Sequence, residues 1–218
     1  MTKRFELLVF DWDGTLFDST GAIVRSIQAS CRDVGLREPS DAQASHVIGL
    51  GLSEALRYAV PALTEQQLPL LVERYRYHYL SLDQEIQLFS GAVEMVERLF
   101  AQGFQLAVAT GKSRKGLDRA FANSGLGRFF SASRCADECF SKPHPQMLEE
   151  LMEEFSVAKE KTLMIGDTTH DMQMAANAGV AGLAVSYGAH SAEVLNDLNP
   201  LGCLQDVREL DQWLCRNA

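Results

Sequence analysis

Short apolar runs alternate with amphipathic stretches along most of this chain. Residues 7–10, 105–109, 162–165 and 181–185 each form a run of four or five positions, nearly continuous in apolar character. Runs this short and this unbroken suit strands covered on both faces, as in a parallel sheet. A further run, 129–132, reads as one more strand. Helical patterns lie between them. In 92–101, Val93, Val96, Leu99 and Phe100 fall on one side, and Gly103 stands where a helix-ending glycine would. Residues 143–155 place Met147, Leu148, Leu151, Met152 and Phe155 at helical spacing, with Pro143 at the first helical position. Residues 168–178 end at Gly179, and 207–215 read as a closing helix. This order predicts an α/β fold, a Rossmann-like parallel sheet with helices on both faces.

One stretch breaks the alternation. Between Asp18 and Leu88 no strand stands out, and 21–34, 53–60 and 64–80 read as helices punctuated by Pro39, Gly49, Gly51, Pro61 and Pro69. A crossover between parallel strands needs only about a dozen residues. The expectation is an inserted helical domain, 18–88, set into a core made of 1–17 and 89–218. The segments 17–20 and 88–91 are then the natural hinges.

Composition adds exclusions. Hydrophobic residues make up 46% of the 218 positions and charged residues 22%, ordinary for a globular protein. The formal net charge of -9 argues against a nucleic-acid partner, which usually needs a basic face. A small anionic substrate remains compatible, because a metal ion and one lysine can make a site locally positive. The apolar run at 7–10 is far too short for a signal segment or a membrane span, so the expected setting is the cytoplasm, with no membrane partner. Five scattered cysteines do not make a disulfide framework and read as structural.

The candidate chemistry follows the strands. The first ends in Asp11-Trp12-Asp13-Gly14-Thr15. In open α/β sheets, ligands gather at the carboxyl ends of strands. Two carboxylates two residues apart can converge on one small site if the backbone turns, which Gly14 permits. The third ends in Gly166-Asp167-Thr168-Thr169-His170-Asp171, where Asp167 and Asp171 can face the same end of the sheet. Taken alone, Asp167 would read as a helix cap; beside the first motif the two acids suit a hard divalent ion such as Mg²⁺. The second ends in Thr110-Gly111-Lys112-Ser113, a hydroxyl and an exposed amide ahead of a helix, able to hold phosphate. Lys142, just before Pro143, is a candidate phosphate-neutralising cation, although a solvated lysine is the commoner fate.

In this order and spacing the chain resembles the haloacid dehalogenase-like hydrolase superfamily over essentially its whole length. Asp11 to Thr15 look like its first motif, Thr110 its second, Lys142 its third, and Gly166-Asp167 with Asp171 its fourth. The helical insert is similar to the small cap of the phosphoglycolate phosphatase-like branch, and Gly49-Leu50-Gly51-Leu52 resembles the cap loop that helps choose substrate there. His144 departs from the acidic residue often found at that place.

The resemblance implies a two-step phosphoryl transfer. Asp11 is then the nucleophile and Asp13 the acid/base. Asp11, Asp167 and the Asp13 backbone carbonyl hold Mg²⁺, with Asp171 behind them. Thr110, Gly111 and Lys142 bind phosphate. An aspartate at position 13 argues against dehalogenation, whose enzymes lack it, and against ion pumps, which carry threonine there. The expected substrate is a small phosphorylated metabolite. A phosphosugar mutase or a pyrophosphatase with the same core stays open. Within the insert, Arg57 could reach a substrate anion, whereas the Tyr75, Tyr77 and Tyr79 segment reads as a solvated helix. His46, His78 and His190 show no partner pattern.

Overall fold

The computed structural model describes residues 3–82 and 86–218. Strand β1 spans Leu7–Phe10. Helices α1 (Thr20–Val34), α2 (Asp41–His46), α3 (Leu52–Ala59) and α4 (Leu68–Leu82) follow it. The chain then forms α5 (Ala92–Ala101), β2 (Gln105–Thr110), α6 (Arg114–Ser124), β3 (Ala132–Cys135) and α7 (Gln146–Phe155). It closes with β4 (Thr162–Gly166), α8 (Thr169–Ala178), β5 (Ala181–Val185), α9 (Ala192–Asn196), β6 (Cys203–Leu204) and α10 (Val207–Asn217).

The strands form one sheet in the order β3-β2-β1-β4-β5-β6, every pair parallel. β1 lies at the centre, and its apolar run has a simple cause. Leu7 and Val9 pack with Ala107, Met164 and the α7 residues Met147, Leu148 and Leu151 on one face. Leu8 and Phe10 pack with Val108, Ile165 and the α5 residues Met95 and Leu99 on the other. Both faces are dry, so alternation disappears. The second layer continues without a break into the insert, through Trp12 and Phe17 to Ile27 of α1, Leu56 of α3 and Leu71 of α4. Among the described residues, no helix is long and apolar enough to cross a membrane.

Two expected elements move. The strand read at 129–132 lies at Ala132–Cys135. Residues Leu126–Phe129 form a 3₁₀ turn instead, and Phe130 packs edge-on to Phe10 and Trp12 rather than joining the sheet edge. The helix expected from 143 starts at Gln146. A turn closed by the His144 amide on the Ser141 carbonyl, at 3.0 Å, intervenes. Pro143 is therefore not the first helical residue, and the Lys142–Pro143 peptide is cis.

The two chain crossings between core and insert run side by side. Phe17 bridges Leu88, the Asp18 amide donates to the Gln87 carbonyl at 2.9 Å, and the Phe89 amide donates to the Leu16 carbonyl at 3.0 Å.

Candidate active site

The site forms where β1, β2 and β4 end together. Asp11 follows β1, its amide donating to the Ile165 carbonyl at 2.8 Å. The chain then folds back, with the Leu16 and Phe17 amides both donating to the Trp12 carbonyl at 3.0 Å. Gly14 makes this turn at φ +83, and a Cβ there would lie 2.1 Å from the Asp167 carboxylate. Both the left-handed backbone and the close approach demand glycine.

Asp11, Asp167 and Asp171 are fully buried, and each offers an oxygen within 4.8 Å of the others. Lys142 enters between them from the loop before α7. Its Nζ donates to Asp11 Oδ1 and to Asp171 Oδ1, both at 2.7 Å. It is 1% exposed, so the solvated reading of this lysine is set aside. Asp171 is also tied locally. Its Oδ2 accepts from the Thr168 amide and hydroxyl, at 3.0 and 2.7 Å, in a capping box that starts α8. Asp167 is not the helix cap. It accepts from the Thr15 hydroxyl at 2.9 Å and the Ala189 amide at 2.7 Å.

Three carboxylates share one ammonium here. Burial, with the charges of Asp171 and Asp13, pushes the Asp11 carboxyl up to about 7, against the pull of Lys142. Burial and the neighbouring Asp11 and Asp171 hold Asp167 well above the usual carboxylate range. Burial would lower the Lys142 ammonium, but the charges of Asp11 and Asp171 more than offset it and keep it protonated. Among the described residues, Asp11 Oδ2 is buried and has no hydrogen-bond partner. Such an oxygen, in a pocket with surplus negative charge and oxygen donors only, fits a hard divalent cation. The unpartnered oxygen belongs to Asp11; each oxygen of Asp167 and of Asp171 already accepts a hydrogen bond, and Asp171 differs from Asp167 in holding the Lys142 ammonium.

Asp13 turns the other way. Its Oδ1 accepts from the Ser19 hydroxyl at 2.6 Å and lies 3.0 Å from Lys112 Nζ. It is outside the three-aspartate cluster and lines a cavity between core and insert. Lys112 also donates to the Tyr79 hydroxyl of α4 at 2.9 Å. Burial opposes its charge, but Asp13 and Tyr79 outweigh that and raise its pKa. Thr110 ends β2, fully buried, and its hydroxyl accepts from the Lys112 amide at 3.2 Å. Gly111 is covered by the insert: a Cβ there would lie 2.5 Å from the carbonyls of both Gly49 and Leu50. The expected cap loop thus reaches the site, and the Gly51 amide donates to Ser141 Oγ at 2.9 Å.

Asp11, Asp13, Thr110, Gly111 and Asp167 lie at these strand ends; Asp171 joins them from the first turn of α8 and Lys142 from the loop before α7. Ser19, Lys112, Tyr79 and the Ala189 amide are additions. Lys112 follows Thr110-Gly111 directly and could have been suspected on that ground; Tyr79, expected on a solvated helix, is instead buried against Lys112, and Ala189 comes from a distant segment and carried no signal. Arg57 lines the cavity but is forked onto Glu65 at 2.9 and 2.8 Å. His46 and His190 do have partners. Their rings stack at 5.2 Å, and the His46 carbonyl faces the Nε2 atoms of His170 and His190 at 2.8 and 3.2 Å. His78 contacts Asp33 at 2.7 Å.

The family model described as "Haloacid dehalogenase-like hydrolase" matches residues 8–185, from β1 through β5. The chain belongs to the haloacid dehalogenase-like hydrolases. It is 30% identical to a 5'-nucleotidase of Pseudomonas aeruginosa, covering 97% of this chain and 96% of that one. It is 29% identical to pyrophosphatase PpaX of Halalkalibacterium halodurans, over 93% and 94% of the two chains. Among solved structures, a predicted phosphoglycolate phosphatase from Haemophilus somnus 129pt superposes with a TM-score of 0.86 at 27% identity, covering 97% and 99%. The names of these three relatives carry three different substrates.

Proposed function

We propose that this hydrolase is a Mg²⁺-dependent phosphatase acting on a small phosphomonoester through an aspartyl-phosphate. What carries the reading is the division between the two aspartates. Asp11 is buried against Lys142 with one oxygen unpartnered, and Asp13 is turned toward the cavity where a leaving group would sit.

In the first step an Asp11 oxygen attacks phosphorus, the bond to the leaving oxygen breaks, and Asp13 donates its proton to that oxygen. In the second step Asp13 takes a proton from water as the water oxygen attacks phosphorus. Phosphate leaves and the Asp11 carboxylate is restored. Thr110, the Gly111 amide and Lys142 hold the transferring phosphoryl oxygens, and Asp171 keeps Lys142 in place. Mg²⁺ would be held by the Asp11 and Asp167 carboxylates and the Asp13 carbonyl, and when bound it neutralises charge on the phosphoryl oxygens. Residues 18–88 act as a cap that closes over the reaction and excludes water.

The test is phosphate release from a panel of phosphometabolites, with Mg²⁺ and with EDTA. Release should require the metal, and Asp11→Asn should lower kcat by a factor of about 10⁴ or more with the far-UV spectrum unchanged. An active Asp11→Asn enzyme refutes the nucleophile. Isomerisation of a hexose 1-phosphate without net phosphate release would point to a mutase instead.

A further inference from the structure

The cavity beyond Asp13 is larger and more positive than phosphoryl transfer needs. Its volume is about 740 Å³, bounded by α1, α3 and α4 of the insert and by α6 of the core. Sites of this size enclose drug-sized molecules. A two-carbon acid would leave most of it to water. Its walls include Ile23, Ile27, Ile48, Leu52 and Leu80, an apolar surface that suits a ring or a chain rather than a compact anion.

The charged residues point further. Five of the lining residues are Lys or Arg and three are Asp or Glu; with Glu65, which pairs with Arg57, the local surplus is one positive charge in a chain of net charge -9. Lys142, which faces the nucleophile, is not among the five. Arg57 is neutralised by Glu65, and Lys112 by Asp13. Arg76 of α4 and Lys115 of α6 have no hydrogen-bond or ion-pair partner among the described residues. One stands on the insert and one on the core, and both line the same cleft. A cleft with low-dielectric walls concentrates such charge on whatever enters it.

Resting on the phosphatase reading above, we infer that the substrate is a phosphomonoester with a bulky, partly apolar leaving alcohol that carries a second anionic group, held by Arg76 and Lys115. A carboxylate or a second phosphate satisfies the same chemistry. A two-carbon phospho-acid or pyrophosphate does not fill the space.

Four compounds test this with the full chain and Mg²⁺: phosphoglycolate, pyrophosphate, adenosine 5'-monophosphate and adenosine 3',5'-bisphosphate. The expected order of kcat/KM places both nucleotides at least about tenfold above the two small compounds, and the bisphosphate about tenfold above the monophosphate through KM. The double variant Arg76→Ala, Lys115→Ala should raise the KM of the bisphosphate to that of the monophosphate, with the loss confined to KM. Phosphoglycolate or pyrophosphate turned over faster than both nucleotides overturns the inference and leaves the phosphatase intact. A bisphosphate no better than the monophosphate, or a double variant whose KM does not move, removes the second anionic group. Absence of phosphate release from all four and from the wider metabolite panel removes the phosphatase reading, and this inference with it.

Discussion

Lys142 is the cation that the buried Asp11 and Asp171 share, and these neighbours differ in what they lose without it. Asp171 keeps the Thr168 amide and hydroxyl, whereas Asp11 would keep no partner that the structure records. Lys142→Met should therefore destabilise the metal-free protein by about 3–5 kcal/mol, the usual cost of an uncompensated buried charge. Asp11→Asn should do the opposite. Burial pushes its carboxyl up to about 7 from an ordinary 3.8, so above neutral pH the folded state holds a charge it disfavours. Removing that charge should stabilise the metal-free protein by about 1 kcal/mol or more at pH 8, and less at pH 5, where the carboxyl is already protonated. Urea unfolding of both variants in EDTA at the two pH values measures each effect. An Asp11→Asn protein less stable than wild type at pH 8 would count against a strained, function-serving carboxylate. At this scale Asp11, Asp13, Thr110 and Asp167 were readable because they stand at strand ends, which meet at one edge of a parallel sheet, whereas Asp171 and Lys142 were readable from their places at a helix start and before Pro143. Ser19, Tyr79 and Ala189 were not, since their contacts depend on how separate segments dock.

Elements were readable where burial alone decides them. β1, β2, β4 and β5 fall within a residue of the apolar runs. β3 and α7 shifted for local reasons: the Phe129-Phe130 pair is apolar but serves the layer beneath the sheet, and the Ser141–His144 turn delays the helix. The histidine seam between α2, α8 and the loop after β5 is a tertiary feature with no sequence period. It makes a prediction of its own. His190 Nδ1 accepts from the Thr169 amide at 2.9 Å, which requires a neutral ring. Burial, aided by the nearby His170, pushes His190 down to about 4 from 6.5. Between those values the unfolded chain binds a proton that the folded protein refuses. Stability from this residue is thus complete above about pH 7 and falls as the pH drops toward 4, by about 3 kcal/mol in all. His190→Asn keeps an acceptor for Thr169 and removes the titration. The difference in unfolding free energy between wild type and this variant should shrink or reverse across that window, while the titrating carboxylates cancel. A difference that stays flat from pH 7 to 4.5 would show that the ring does not titrate as its burial requires.

For the whole molecule, the run of helices α1–α4 after β1 was visible as a break in strand periodicity, but how it rests on the sheet was not. Closure is written in close approaches. The insert leaves and rejoins the sheet through the paired crossings at Phe17 and Leu88. Its loop comes to rest with the Gly49 and Leu50 carbonyls where a Gly111 Cβ would be, at 2.5 Å. Gly111 does not have a positive φ, so alanine can adopt its backbone. The methyl group meets backbone atoms, which cannot rotate away as a side chain can. Gly111→Ala should therefore leave the sheet folded while holding the insert off the core. The seat of the Gly51 amide on Ser141 and the Lys112–Tyr79 bond should loosen with it. A displacement of about 1 Å in groups that position a substrate can cost about a hundredfold in rate. The expected outcome is kcat/KM lower by at least that factor, an unchanged far-UV spectrum and a larger radius of gyration in solution scattering. Wild-type turnover in this variant would mean that the seated loop is dispensable, and that the catalytic residues alone, without closure, suffice for the chemistry.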